Sequence, residues 1–318
     1  MKNKLILICS DESEAATDAV CSWLFVLDKK FLRISSKNII TIKGIVIENG
    51  NEDILFSIDM EDYKLSDFDS YWYRRSFLNF SHLLKIEYFF EDRDLSYEVN
   101  NFLEKEYNSL KEYFITKLNQ LAKLNKFEDN RINKLEVLSI AQRLGIDIPK
   151  TQIIRNTSEI GFQSERYITK SITDLHIRKH DKIYYSLTQH VDVEEKDDLF
   201  FSLIQEEIEK KFEIRSFFFN NTFYSSAIFS QENSKTKLDF RNYDDENPNR
   251  VVPFSLPTKI ENQLKELSVA VGLKSGSFDI IYTLDHRYVL LEVNPVGQFD
   301  QVSNPCNYNL YKEIATYL

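Results

Sequence analysis

Two apolar, strand-like segments near the end of the chain constrain its fold more than any other feature. They cover residues 277–282 and 288–293, and a short polar turn separates them. Side chains alternate between the two faces of a strand, so Asp279 points away from both of its neighbours, whereas Glu292 and Asn294 share a face. If the segments pair as a hairpin, these three polar side chains converge on one face of an otherwise apolar sheet.

The three converging side chains predict a cation site, although a plainer interpretation is open. Two carboxylates and an amide oxygen are hard ligands of the kind that Mg²⁺ binds, with water and nucleotide phosphates completing its shell. The plainer interpretation is that all three are ordinary polar positions that face solvent. Their flanks are strongly apolar, and an unpaired carboxylate inside such a sheet would be costly. The local pattern does not decide between the two.

A second pattern joins an apolar segment to a charged one and then to a strand that opens with Glu213 and Arg215. These two side chains share a face, and the guanidinium of arginine is a planar fork that suits phosphate or carboxylate. The alternative is a surface ion pair worth less than ~1 kcal/mol. Further basic candidates are Lys134, Lys170 and Arg241, although a lysine that ends a strand more often faces solvent.

The composition excludes several classes of protein. The 318 residues suffice for two or three packed modules, and 42% of them are hydrophobic. Acidic residues outnumber basic ones by 50 to 40, and the net charge of −10 disfavours nucleic acid and anionic lipid surfaces as partners. No segment approaches the roughly 18 apolar residues that a membrane span needs, so we expect a cytoplasmic protein without a membrane partner.

Several common site patterns are missing from the sequence. The three cysteines, Cys9, Cys21 and Cys306, lack metal-ligand or redox spacing and are expected to be reduced and mostly buried. The five histidines show no paired zinc spacing. There is neither a GxxxxGK[ST] nor a GxGxxG loop, so a bound nucleotide requires another type of site.

Apolar periodicity predicts an α/β chain whose character changes along its length. Strand and helix patterns alternate over the first 90 residues, with a hairpin around Asn49-Gly50-Asn51. A long helix is predicted over 95–124, and a shorter one over 134–144 that ends at Gly145. From residue 151 onward strands dominate, interrupted by one helix over 259–271. No internal repeat and no linker rich in glycine, proline or serine separates the modules.

Over nearly its whole length the sequence resembles ATP-grasp ligases. Asp279 followed by Glu292-Val293-Asn294-Pro295 is similar to the magnesium-binding signature of that superfamily, and Asn133 to Thr151 is similar to the opening of its central domain. The resemblance implies an α/β (α+β) ATP-grasp fold that binds ATP between two antiparallel sheets. It implies three parts: a pre-ATP-grasp domain over 1–124, a central subdomain over 125–204, and a C-terminal subdomain with the magnesium site over 205–318.

The same resemblance implies nucleotide-binding roles. Lys134 and Lys170 would contact phosphates, and Arg215 would lie near the transferring phosphate, with Glu213 also on the nucleotide side. A hinge between the two sheets would read adenine through its backbone. It consists of Gln205, Glu206, Glu207 and Ile208.

Three shorter motifs resemble those of graspetide synthetases, the microviridin-type ligases and their grasp-with-spasm relatives. Tyr71–Arg75 is similar to their N-terminal WYRR, residues 238–244 are similar to D-[WF]-R-x-Y-D, and Asn294–Gln298 matches NPxGQ. Tyr71 departs from the small apolar residue that is usual there. These enzymes phosphorylate an Asp or Glu side chain of a ribosomal precursor peptide, and a Thr, Ser or Lys side chain attacks it to close an ω-ester or ω-amide ring.

This second resemblance implies ATP and Mg²⁺ as cofactors, a precursor peptide with leader and core segments as partner, and a homodimer. Arg215 and Arg241 would hold the substrate carboxylate and stabilise the acyl-transfer intermediate. Glu213 and Asp239 are both considered as acceptors of the nucleophile's proton, and neither is chosen. The aromatic and acidic segment 184–195 is either a docking surface for the leader or a solvated edge.

The sequence leaves competing functions open. The first is another ATP-grasp ligase, one that acts on a small molecule or adds amino acids to a protein tail. The second is a non-catalytic nucleotide-binding module, which would be expected to have lost some of the charged positions that this sequence keeps. A redox or zinc enzyme has no supporting residue spacing.

Overall fold

The computed structural model describes residues 4–81, 90–173, 176–179, 182–185, 187–192 and 198–318. They form two compact units. The first joins Met1–Glu128 to the segment Leu310–Leu318, and the second is Asp129–Asn309. The expected division into three parts, with boundaries after residues 124 and 204, stays a prediction.

The first unit alternates strands with helices. Its elements are β1 (Leu5–Ser10), α1 (Ala15–Val26), β2 (Phe31–Ile34), β3 (Ile39–Glu48), β4 (Asn51–Ile58), β5 (Glu61–Lys64), β6 (Phe68–Arg74), β7 (Asn79–Phe80) and α2 (Arg93–Gln120). A parallel sheet has the strand order β2-β1-β6, and a second sheet has the order β5-β4-β3-β7. Apolar side chains of β1 and β6, among them Ile8 and Trp72, are buried in this unit.

Local sequence explains where several of these elements begin and end. The carboxylate of Glu14 caps α1 by accepting a hydrogen bond from the Thr17 N–H at 2.9 Å. Asn49 and Gly50 have φ angles of 52° and 76°, the left-handed conformation that a two-residue hairpin loop requires. They join β3 and β4, which pair antiparallel, so the predicted hairpin is confirmed.

The second unit is built mainly from antiparallel strands. Its elements are α3 (Lys134–Arg143), β8 (Thr151–Asn156), β9 (Tyr167–Lys170), β10 (His176–Lys179), β11 (Lys182–Tyr185), β12 (Gln189–Val191), β13 (Asp198–Glu206), β14 (Lys210–Phe219), β15 (Thr222–Phe229), β16 (Arg250–Phe254), α4 (Thr258–Ala270), β17 (Ser275–Thr283), β18 (Tyr288–Asn294) and α5 (Asp300–Cys306). A four-stranded sheet has the order β12-β9-β13-β8, and a five-stranded sheet has the order β16-β15-β14-β17-β18. Strands β10 and β11 pair with each other.

Helices α3 and α4 cover one face of the five-stranded sheet. Apolar side chains from both helices and from β14, β17 and β18 form a single buried cluster there. Its members include Val137, Ala141, Ile214, Phe218, Leu264, Leu267, Phe278, Ile280, Leu290 and Val293. Because alternate residues of each strand point to opposite sides, the intervening residues of these strands are directed to the other face.

The last helix, α6 (Leu310–Tyr317), belongs to the first unit. It packs against α1, and the ammonium of Lys312 lies 5.4 Å from the ring centroid of Trp23. Lys29 donates a hydrogen bond to the Thr316 carbonyl oxygen at 2.7 Å, in the last turn of the helix. These contacts explain why residues beyond 309 group with the beginning of the chain.

The predicted α/β class is confirmed, and the strands and helices that were missed are short or irregular. Strand β2 has four residues, and helix α5 contains Pro305, which weakens the helical signal of its sequence. The helix predicted over 134–144 ends at Arg143, followed by Gly145 with a φ of 70°. Within the described ranges, no helix is both long and apolar enough to cross a membrane.

Candidate active site

A row of charged side chains crosses the face of the five-stranded sheet that is opposite to the helices. Arg215 on β14 lies directly across from Asp279 on β17, and Asp279 lies directly across from Glu292 on β18. All three are buried. Arg215 Nη1 donates to Asp279 Oδ1 and Oδ2 at 2.8 and 2.9 Å. The side chain of Asn294 donates through Nδ2 to Asp279 Oδ2 at 3.3 Å and to Glu292 Oε1 at 3.1 Å. The predicted meeting of these side chains on one face therefore occurs.

A β-bulge at Leu291 makes this row possible. Asp279 pairs with Glu292, but the next residue, Ile280, pairs with Leu290, so Leu291 has no residue opposite to it. Strict alternation would place Leu290 and Glu292 on the same face. The extra residue reverses the pattern, so that Leu290 joins the apolar cluster under the helices while Glu292 joins Asp279.

Three cationic side chains surround Glu292. Lys134, the first residue of α3, places Nζ 3.5 Å from Glu292 Oε2, and Arg241 places Nη1 3.6 Å from Oε1. Lys170, the last residue of β9, donates from Nζ to the carbonyl oxygen of Leu291 at 3.4 Å. We call the whole group the charged cluster. It comprises Lys134, Lys170, Arg215, Arg241, Asp279, Glu292 and Asn294.

Arg241 is held in place by Asp239. Its Nε and Nη2 donate to Asp239 Oδ1 and Oδ2 at 2.9 and 2.7 Å. Asp239 Oδ2 also accepts from the Thr188 N–H at 3.3 Å and from its hydroxyl at 3.1 Å. Burial opposes ionisation of Asp239, but the hydrogen bonds and the charge of Arg241 outweigh it, so its pKa is lowered. Asp239 is therefore an ionised anchor for Arg241.

The pKa values of the two central carboxylates move in opposite directions. Burial, which the charge of Arg215 offsets only in part, raises the pKa of Asp279. Burial also opposes ionisation of Glu292, but the charges of Lys170, Lys134 and Arg241 outweigh it and lower the pKa of this carboxyl. Burial lowers the pKa of Lys170. Four cationic side chains and three carboxylates, with Asp239 included, thus share a buried site, a balance that suits a polyanionic ligand.

Glu213 does not join Arg215, although the two are on the same strand. Its carboxylate accepts from Lys210 Nζ and from Ser230 Oγ, both at 2.6 Å. Lys210 also donates to the carbonyl oxygen of Leu238 at 3.0 Å. Burial raises the pKa of Glu213 despite the charge of Lys210. The role of Glu213 in nucleotide binding stays a prediction, and Lys210 is a neighbour that the sequence did not single out.

The predicted hinge connects the four-stranded sheet to the five-stranded one. Glu206 N–H donates to the carbonyl oxygen of Lys150 at 3.2 Å, and Glu207 N–H donates to that of Arg166 at 3.0 Å. The side chain of Glu207 lies 3.1 Å from His190 Nε2. The next N–H, that of Ile208, has no backbone acceptor among the described residues. The role of residues 205–208 in reading adenine stays a prediction.

Gln205 shares a face of the four-stranded sheet with Lys170. Lys170 lies opposite Leu203 on β13, and Gln205 follows two residues later on the same strand, so their side chains point to one side. Gln205 is buried, and its Nε2 donates to Thr151 Oγ1 at 2.8 Å. The face that carries Lys170 towards Glu292 therefore extends to the hinge.

Some expectations concern residues that the structure does not describe. One of them is the segment 184–195, with its two interpretations as a docking surface for the leader or a solvated edge. Residues 186 and 193–195 lie outside the described ranges, as do the side chains of Tyr184 and Tyr185. Across the described ranges, no group of three or more His, Cys, Asp and Glu side chains could hold a metal ion. The predicted magnesium ligands form a different set, with two carboxylates and one amide.

Comparison with known proteins identifies the fold. No family model matches the chain, and no curated protein matches it. A Chryseobacterium gregarium RiPP-associated ATP-grasp ligase, solved with ADP and a leader and core peptide, is 22% identical with a TM-score of 0.73, and the match covers 99% of this chain and 96% of that one. The macrocyclase MdnC from Microcystis aeruginosa MRC, solved with the precursor peptide MdnA, is 22% identical with a TM-score of 0.71, and 99% of both chains is covered.

A third similar structure extends the likeness. The ATP-grasp ligase PsnB, solved with a phosphomimetic variant of a minimal precursor, Mg and ADP, is 14% identical with a TM-score of 0.68, and the match covers 99% of this chain and 97% of that one. The protein therefore has the ATP-grasp fold, as the sequence predicted. Its structure is similar to those of RiPP-associated ATP-grasp ligases over nearly the whole chain.

Proposed function

We propose that this protein is an ATP- and Mg²⁺-dependent ligase that closes rings in a ribosomally made precursor peptide. The observation that carries the proposal is the charged cluster, in which the row Arg215–Asp279–Glu292 is joined by lysines from α3 and the four-stranded sheet. It lies in an ATP-grasp fold whose similarity to a RiPP-associated ATP-grasp ligase and to the macrocyclase MdnC covers 99% of this chain. The product is an ω-ester or ω-amide between an Asp or Glu side chain and a Thr, Ser or Lys side chain.

The donor set of the cluster fits Mg²⁺. Asp279 and Glu292 offer carboxylate oxygens, which magnesium prefers. The side-chain amide of Asn294 lies between the two carboxylates. A 180° rotation of this amide would place Oδ1, an acceptor that can bind a cation, where Nδ2 now lies. Bound Mg²⁺ would offset the negative charge on the phosphoryl group that ATP transfers.

The remaining charged residues bind and orient the reactants. Lys134 and Lys170 contact nucleotide phosphates, and residues 205–208 hold adenine, with Glu213 on the same side. Arg215 and Arg241 bind the substrate carboxylate and then stabilise the tetrahedral intermediate of acyl transfer, since a guanidinium can donate two parallel hydrogen bonds to a pair of oxygens. Both reacting groups belong to one peptide, so binding raises their effective concentration.

The proposal also covers the location of the protein, its oligomeric state and its division into functional parts. We propose that it works in the cytoplasm as a homodimer and that a leader segment of the peptide binds it. Three functional parts would be residues 1–124, 125–204 and 205–318.

The alternative function is that of a ligase for a small molecule. The D-cycloserine synthetase DcsG has the same fold, with a TM-score of 0.53 at 8% identity.

The test is the intact mass of a small peptide encoded beside this gene, after incubation with the protein, ATP and Mg²⁺. We expect the loss of one water mass for each ring, only when ATP is present. Asp279→Asn and Glu292→Gln should abolish the mass change. Asp285→Asn, a change at the exposed turn of the same hairpin, should leave it intact. Full activity of the first two variants would refute the proposal, and an unchanged peptide with clear ATP binding would favour the small-molecule ligase.

A further inference from the structure

The carboxylate of Asp300 differs from the other acidic groups around the charged cluster. Its Oδ1 is buried and has no hydrogen-bond partner among the described residues. A buried carboxylate oxygen without a partner costs free energy, so its presence in a folded protein needs an explanation. A ligand that brings a donor to this oxygen would supply one.

The neighbouring carboxylates are all engaged by side chains of the protein. Each accepts hydrogen bonds or pairs with a cation, and two of them were the sequence-based alternatives for accepting the nucleophile's proton. The pairs are Asp279 with Arg215, Glu292 with Lys134 and Arg241, Asp239 with Arg241 and Thr188, and Glu213 with Lys210 and Ser230.

Helix α5 begins on the face of the sheet that carries the charged row. The ring of Phe299 packs against that of Phe217 at a centroid distance of 5.2 Å, and Phe217 is two residues from Arg215 on β14. The chain is fixed just before the helix, because Ser277 Oγ donates to the carbonyl oxygen of Gln298 at 3.2 Å. Asp300, the first residue of α5, follows directly.

Tyr243 lies next to the same helix and within electrostatic reach of the cluster. Its phenolic oxygen accepts a hydrogen bond from Gln301 Nε2 at 2.5 Å. The charges of Arg215, Asp300 and Asp279 all act on this phenol. Half of the Tyr243 side chain is exposed, but partial desolvation still raises the pKa of the phenol, so the hydroxyl keeps its proton at neutral pH. Because Gln301 donates to the oxygen, the phenolic hydrogen is directed elsewhere, and no described residue accepts it.

Arg215 supplies a second donor in the same neighbourhood. Its Nη1 is held by Asp279, but its Nε is buried and has no hydrogen-bond partner among the described residues. Two donors, Arg215 Nε and the Tyr243 hydroxyl, and one acceptor, Asp300 Oδ1, therefore lie near the reactive row without using their hydrogen-bonding capacity on the protein.

We propose that Asp300 accepts the proton of the attacking nucleophile, while Tyr243 and Arg215 Nε donate to the acyl oxygen. This inference rests on the proposed function and assigns residues to its second half-reaction. The nucleophile's oxygen or nitrogen forms a bond to the acyl carbon, and its proton passes to the Asp300 carboxylate. The bond from the acyl carbon to the phosphate oxygen breaks, and its electron pair leaves with inorganic phosphate.

Hydroxylamine separates this step from the one before it. It is a strong nucleophile in its neutral form, so it captures an acyl phosphate as a hydroxamate without help from a base. The experiment incubates wild-type protein and Asp300→Asn with ATP, Mg²⁺ and the precursor peptide, with or without hydroxylamine. Mass spectrometry then measures ring formation and hydroxamate formation on the same peptide.

For Asp300→Asn we expect ring formation to slow by about 100-fold or more, while the hydroxamate yield stays within about twofold of wild type. The matched control is Glu266→Gln, which removes one negative charge from an exposed position on α4 and should change neither product. The persistence of hydroxamate shows that the variant is folded and still phosphorylates the peptide.

Two outcomes would overturn the assignment of Asp300. Ring formation at the wild-type rate would show that no proton passes to this residue. Loss of both products would show that Asp300 is needed before acyl transfer. If wild-type protein itself gave neither rings nor hydroxamate, the proposed function would fail, and this inference would fail with it.

Tyr243→Phe tests the donor side of the proposal. It removes only the hydroxyl, so we expect kcat for ring formation to fall about tenfold with the KM for the peptide unchanged. A rise in KM at constant kcat would assign Tyr243 to peptide binding and would refute its role as a donor to the acyl oxygen.

Discussion

Two buried arginine–carboxylate pairs, one in each unit, have similar local chemistry and different surroundings. In the first unit Arg74 on β6 pairs with Glu14 at the start of α1, and its guanidinium lies 5.6 Å from the ring centroid of Trp72. In the second unit Arg215 pairs with Asp279. Both arginines are almost fully buried. Burial and pairing alone therefore do not distinguish a structural ion pair from one in the proposed active site.

What distinguishes them is the set of charges beyond the pair. Asp279 lies across the sheet from Glu292, which three cations surround. Glu14 instead caps α1, where its carboxylate accepts a hydrogen bond from Thr17. The comparison indicates that a candidate active site differs from a structural ion pair by the cluster of further buried charges around it.

Replacing each arginine by methionine tests this distinction most severely. We expect Arg215→Met to lower ring formation by about 10³-fold, because it removes donors to the acyl and phosphoryl oxygens. Arg74→Met should leave kcat near that of wild type and lower the free energy of unfolding by about 3 kcal/mol, because it leaves a partly buried carboxylate without its cation. Peptide mass analysis and denaturant titration measure the two effects. If Arg74→Met lowered kcat without lowering the free energy of unfolding, the proposed structural role of Arg74 would be wrong.

The pH dependence of Glu14→Gln sharpens the structural half of the comparison. Burial opposes ionisation of Glu14, but Arg74 and the hydrogen bonds at the cap outweigh it, so its pKa is below the ordinary value of 4.5. The stabilisation by the ionised form is present above about pH 4.5 and is lost as the pH falls through the lowered pKa. Glu14→Gln should therefore unfold more easily than wild type by about 2 kcal/mol at pH 7, with a smaller difference at pH 3. A constant difference would contradict this.

A smaller effect is expected from packing beside the charged row. A Cβ atom at Gly297 would lie 2.1 Å from Ser277 Oγ and 2.7 Å from Ser277 N, so Gly297→Ala must displace β17 or the segment that leads to α5. We expect a loss of about 1–2 kcal/mol in the free energy of unfolding and slower ring formation. The control is Gly44→Ala in the first unit, where the nearest atom, Leu55 Cδ1, would be 3.9 Å away. Equal behaviour of the two variants in denaturation would refute the steric argument.

We expect the smallest effect on stability from replacing Lys29, a cation that belongs to neither arginine–carboxylate pair. Lys29 donates to the carbonyl oxygen of Thr316 in the last turn of α6, where the helix dipole favours positive charge. Lys29→Gln should cost about 0.5 kcal/mol of stability and leave ring formation unchanged. Thermal unfolding in low and high salt measures this contribution. A strong effect on catalysis would show that isolated charges in the first unit also serve the reaction.

Much of the charged cluster could be predicted because its signals are local. Asp279, Glu292 and Asn294 belong to two strands joined by a tight turn, so the two-residue period of a strand nearly suffices to bring them together. Sequence reasoning missed Lys210 beside Glu213 and Thr188 beside Asp239. Glu213 and Asp239 therefore have hydrogen-bond partners within the protein, which no spacing in the sequence reveals. Asp300 lies two residues after the NPxGQ motif, and only its unsatisfied oxygen distinguishes it.

The sequence by itself determined several elements and their polar faces: the hairpin at Asn49 and Gly50, the helix that begins at Lys134, and the strands that carry Asp279 and Glu292. These depend on steric periods and hydrogen bonds that act within a few residues. Only the tertiary structure decided the bulge at Leu291, the cation that each carboxylate pairs with and the place of α5, because burial and ion pairing depend on which distant segments pack together.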